Sequence, residues 1–85
     1  MEYIAVIHKD TNDTYWAEFP DVPGCFSSGN TIEEVKKNAG EALDLYFSGS
    51  KYLDLIYPRE STLEEIKEKY EGEAFISIYL APRFM

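Results

Sequence analysis

Four carboxylates fall at or near the ends of predicted strands: Asp10, Asp13, Glu18 and Asp21. Gathered together, such acids could hold two divalent ions, the arrangement that clamps the attacking and leaving oxygens in phosphodiester cleavage. Their placement argues against it. Asp10 and Asp13 lie in a polar turn, Asp21 lies in a proline corner, and no acid sits midway along the first strand. His8, the lone histidine, could act as a general base, but a histidine ending a strand reads as a surface or edge residue. Cys25 is the only cysteine, so no internal disulfide or thiolate metal site can form. With no basic neighbour in sequence, it reads as a small buried strand residue. Ser27, Ser28 and Thr31 lack a nucleophile-elbow context. No Gly-Lys-Ser/Thr follows Gly24 or Gly29, so no phosphate loop is expected. The aromatic residues are not interleaved with Lys or Arg, which argues against a base-stacking platform. The expectation is a protein that is not an enzyme, with no catalytic residue, metal or cofactor.

The elements that carry these residues are short. Glu2 to His8 has Tyr3, Ala5 and Ile7 at one parity and Ile4, Val6 and His8 at the other. Both sets are largely apolar, as in a central strand buried on both faces. The turn KDTND (9–13) joins it to a second strand, Thr14 to Phe19, with Trp16 and Glu18 on one face and Tyr15, Ala17 and Phe19 on the other. Pro20 ends that strand. Pro20-Asp21-Val22-Pro23-Gly24 makes a stiff corner in which Gly24 permits a positive φ. Cys25 to Ser28 is a third strand near a sheet edge.

Thr31-Ile32-Glu33-Glu34 has a capping-box pattern. Ile32, Val35, Ala39, Ala42, Leu43 and Tyr46 follow on one helical stripe, and Ser48-Gly49-Ser50 stops the helix. The apolar 51–57 segment should pack down. A second capping box, Ser61 to Glu64, opens a short helix carrying Leu63, Ile66 and Tyr70. AFISIYL, Ala74 to Leu80, is the last strand.

The order β-β-β-α-α-β implies a single α+β domain over residues 1–85. Its sheet is expected in the order 3-2-1-4, with the last strand parallel to the first and both helices on one face. That arrangement would leave large apolar groups wet on the other face, and such patches mark interfaces. Trp16, Glu18 and Phe26 are therefore the candidate contacts for a protein partner or a second copy. The balance of eight basic and sixteen acidic residues, net −8, repels phosphates and favours a basic protein over nucleic acid. The N-terminus has neither a signal peptide's pattern nor a membrane-spanning run, so a cytoplasmic location and no membrane contact are expected.

The string Tyr15-Trp16-Ala17-Glu18-Phe19-Pro20-Asp21-Val22-Pro23-Gly24-Cys25, continued by Gly29 to Val35 and the helix to Leu43, resembles the HicB antitoxin family. The resemblance implies a partial ribonuclease-H-like fold. It also implies an antitoxin that neutralises a small basic HicA-like toxin, an mRNA-cleaving ribonuclease, by masking its RNA-facing surface. Many members continue into a DNA-binding module. This sequence stops at Met85, so no such module, and no nucleic-acid binding through this domain alone, is expected. The alternative is a stand-alone oligomeric binding domain without a toxin.

Overall fold

A computed structural model describes residues 1–48 and 57–80. In chain order the elements are β1 (Glu2–Lys9), β2 (Tyr15–Glu18), β3 (Phe26–Gly29), α1 (Ile32–Phe47), α2 (Leu63–Lys69) and β4 (Ala74–Tyr79). The sheet order is β3-β2-β1-β4, as the sequence predicts. The apolar stretch 51–56 lies outside the described residues.

Local chemistry sets the first half. The turn after β1 closes through a bond from the Asp10 amide to the Thr14 carbonyl at 2.8 Å, and Asp13 takes φ 64° there. Gly24 ends the proline corner at φ +88°, a conformation that costs a residue without Cβ little. Thr31 caps α1: its Oγ1 accepts from the Glu34 amide at 3.0 Å. The return arm differs from the usual box, since Glu34 Oε1 accepts from the Asn30 amide, one residue before the cap. Gly29 lets β3 meet α1 closely; a Cβ there would stand 2.7 Å from the Val35 nitrogen.

Two expectations are corrected. The sheet is not mixed: β1 pairs antiparallel with both β2 and β4. The helices do not share a face either. α1 covers the Tyr3, Ala5, Ile7 and Ala17 side with Val35, Ala39, Leu43 and Phe47. Ile66 of α2 is buried against Ile4 and Val6, on the opposite side.

One cause explains both corrections. The connection between β3 and β4 crosses the sheet's length twice. α1 starts against the β3 end and finishes with Phe47 stacked on Tyr3 at 6.1 Å. The chain then resumes beside the start of β1, where the Pro58 carbonyl accepts from Tyr3 Oη and Glu60 Oε1 accepts from the Glu2 amide. It climbs the other face through α2 to Glu73, whose amide donates to the Ile7 carbonyl. β4 therefore begins at the far end of β1 and must run back along it.

The second capping box is also displaced by one residue. Thr62 is the N-cap and Glu65 completes the reciprocal pair. Ser61 is held elsewhere: its amide and hydroxyl both donate to the Asp21 carboxylate at 2.7 Å.

Candidate functional site

Strand register fixes which side chains share the face opposite α1. Val6 stands opposite Glu18 and His8 opposite Trp16; Trp16 stands opposite Ser28 and Glu18 opposite Phe26. Because neighbours across a sheet project to the same side, Trp16, Glu18 and Phe26 come together. The other end of the face, around Ile4 and Val6, is covered by Ile66 with Tyr70 and Phe75 packed against it. Over β2 and β3 the face stays open, leaving Trp16 37% and Phe26 60% exposed.

The open half is ordered by its own contacts. His8 Nε2 and Glu18 Oε2 lie 2.6 Å apart, with both side chains about a quarter exposed (22% and 26%). The His8 ring stacks on the Trp16 indole at 4.3 Å and 21°. Phe26 stands beyond Trp16, 6.4 Å away and tilted by 48°. Histidine, indole and phenyl thus form a row across three strands, and the Glu18 carboxylate is the acid beside it. His8 departs from its expectation as an edge residue: β1 is a central strand and the imidazole is half-buried in this cluster. Strand parity separates His8 and Trp16 from the core, but their mutual contact depends on the hairpin register. The Lys9–Tyr15 pairing across the turn is the signal that could have revealed it.

The remaining sequence candidates are structural. Asp10 Oδ1 accepts from the Thr11 amide. Asp21 binds Ser61. Among the described residues, no group of three or more His, Cys, Asp or Glu is placed to hold a metal ion. Cys25 is buried at the mouth of β3, and desolvation pushes its thiol up to about 11. Ser27 donates to the Val35 carbonyl, and Ser28 offers its carbonyl to Asn38 Nδ2 at 2.7 Å. Around α2, a backbone hydrogen bond from Thr62, followed by the Arg59 guanidinium, holds the Glu65 carboxyl below its usual range. No helix among the described residues is long and apolar enough to cross a membrane.

The described residues thus form a small antiparallel sheet with one helix on each face and an aromatic-acidic patch beside the shorter helix. Residues 3–81 match the model of the HicB_like antitoxin of bacterial toxin–antitoxin systems, and the chain belongs to that family. It is 38% identical over 76 residues to a 14.9 kDa protein from the rep–hol intergenic region of Haemophilus phage HP1, covering 89% of this chain but 56% of that one. A UPF0150 protein of Thermoplasma acidophilum is 34% identical over 64 residues, 75% of this chain and 93% of its own. Among solved structures, the N-terminal domain of Burkholderia pseudomallei antitoxin HicB matches with a TM-score of 0.84 at 30% identity, over 96% of this chain and all of that one. A HicA3–HicB3 toxin–antitoxin complex matches at 0.68 and 27% identity, over 96% of this chain and all of the matched chain.

Proposed function

We propose that this chain acts as an antitoxin, which binds and neutralises a small basic HicA-like mRNA-cleaving toxin by covering its RNA-facing surface. The observation that carries the reading is its likeness, over 96% of its length, to a chain solved in a HicA3–HicB3 complex. Physical support comes from charge. A net −8 steers a basic partner toward the domain and suits a surface built to hold phosphate. The action is stoichiometric masking without catalysis, in the cytoplasm. The three-stranded meander followed by α1 supports reading the fold as a partial ribonuclease-H-like one, with none of that fold's metal chemistry carried over.

The test is co-expression with the protein of the adjacent reading frame, affinity capture of this chain, and an RNA-cleavage assay of the neighbour with and without it. A stable complex that suppresses cleavage supports the proposal. A neighbour that cleaves RNA equally fast in the presence of excess antitoxin would sink it. A second reading, a stand-alone oligomeric binding domain, is favoured by relatives that consist of little else: this chain covers 93% of the Thermoplasma protein and 96% of a Synechocystis one. A concentration-dependent oligomer, with no partner captured, would support that reading.

A further inference from the structure

The open half of the second sheet face contains a cleft of about 280 Å³ between the proline corner and the C-terminal end of α2. Phe26 and Tyr70 form aromatic walls, Pro23 and Cys25 an apolar side, and Glu18 supplies a carboxylate. Glu18 uses Oε2 on His8; among the described residues no donor is placed on Oε1. The Glu18 side chain lines this aromatic-walled recess and is only about a quarter exposed (26%), so its attraction for a cation exceeds that of a fully exposed acid. No other charged side chain lines the cleft.

We propose that this cleft receives an arginine side chain of a basic protein partner. The guanidinium pairs with Glu18 Oε1 and lies against the Phe26 and Tyr70 rings. Arginine suits the recess better than lysine because its planar, weakly hydrated head stacks on rings while its fork donates to a carboxylate. The partner class follows from charge complementarity with a net −8 chain. β-Strand addition at the neighbouring edge is disfavoured because Asn38 already occupies the Ser28 carbonyl of β3. The inference adds one contact to the antitoxin reading and rests on that reading for the partner's identity, while the cleft can be tested separately.

Trp16 is the chain's single tryptophan and stands beside the cleft, so its emission reports binding there directly. The full chain is titrated with nona-arginine and, separately, nona-lysine, following Trp16 fluorescence. Glu18→Gln and Phe26→Ala are compared with Glu41→Gln on α1, after circular dichroism confirms that each variant is folded. The expected result is a saturable emission change that favours arginine, weakened about tenfold by Glu18→Gln and less than about twofold by Glu41→Gln. Equal effects of the two charge removals would mean general attraction and overturn the proposal, as would an unchanged Trp16 emission.

The same variants are then tested for capture of the adjacent gene's product. Undiminished capture by both Glu18→Gln and Phe26→Ala overturns the cleft as the docking site while leaving the antitoxin reading intact. A cleft that selects arginine in a chain that captures no toxin supports the inference and refutes that reading.

Discussion

Removing the Asp21 carboxylate should loosen α2 from the sheet. Asp21 lies in the proline corner, and its two oxygens accept the Ser61 amide and hydroxyl, each at 2.7 Å, across 40 residues of sequence. Ser61 immediately precedes the Thr62 cap, so this pair sets where α2 begins and which face it climbs. Asp21→Ala removes two charge-assisted bonds and leaves a partly buried amide without its acceptor. Each such bond is worth about 1.5–3 kcal/mol where water is excluded; water can re-enter here, so the combined loss should be about 2–3 kcal/mol. For a domain of this size, that lowers Tm by about 10–20 °C. Ser61→Ala removes only the hydroxyl bond and should cost about 1 kcal/mol.

The hydroxyl bond can be lost only once, so the double variant should be less destabilised than the sum of the singles. A coupling of about 1 kcal/mol is expected from urea unfolding followed by far-ultraviolet circular dichroism. Binding of a hydrophobic dye should rise as Ile4 and Val6 lose their cover. Additivity within about 0.5 kcal/mol, or a loss below that for Asp21→Ala alone, would refute the claim that this carboxylate ties the corner to α2.

Three further predictions test other parts of the fold. Gly29→Ala places a Cβ 2.7 Å from the Val35 nitrogen, so β3 and α1 must separate; a loss of about 1–3 kcal/mol is expected in the same unfolding assay. Glu65 has a folded pKa below its unfolded value of 4.5, so its contribution is present above about 4.5 and is lost as pH falls through the lower folded value. Glu65→Gln should therefore show a flatter acid limb of stability, read by thermal melts across that range. The Cys25 thiol is raised from 9.0 to about 11, so at pH 8 the folded chain holds about a hundredfold less thiolate than the unfolded one. Alkylation by iodoacetamide should be slower by at least that factor. The same shift makes stability decline as pH rises above 9.0, because the unfolded thiol ionises first.

Much of this structure is written in short-range pattern. Apolar residues at both parities of β1 identify a strand buried on both faces, Thr31 identifies the start of α1, and Gly24 marks its positive φ. Parity within β2 makes the shared face of Trp16 and Glu18 legible, while Phe26 joins them only through the register of β3 against β2. What the sequence conceals depends on contacts between distant segments. Ser61 and Thr62 are both chemically able to cap α2, and only Asp21, 40 residues earlier, takes one of them out of contention. The direction of β4 depends on how many times the chain crosses the sheet, which helix periodicity does not encode. The His8–Glu18 pair requires the register of β1 against β2, a quantity fixed by the turn's hydrogen bonds rather than by either strand's composition.

The second crossing also explains why the open face is where it is. α2 has seven residues and spans only about 10 Å. Four strands spaced about 4.8 Å apart, with their side chains, present a wider surface than one such helix can cover. Its single buried residue, Ile66, is spent on Ile4 and Val6 over the β1 side, where the sheet is most apolar. The β2–β3 side is left to residues that tolerate water: a histidine paired with a glutamate, an indole under the imidazole, and an exposed phenyl. A longer α2 would bury Trp16 and Phe26 and stabilise the domain, but it would close the cleft beside Glu18. The shortness of α2 therefore divides one sheet face into a half packed under Ile66 and an open half, and it places the open half, where the arginine-binding cleft is proposed, next to the proline corner to which Asp21 anchors the helix.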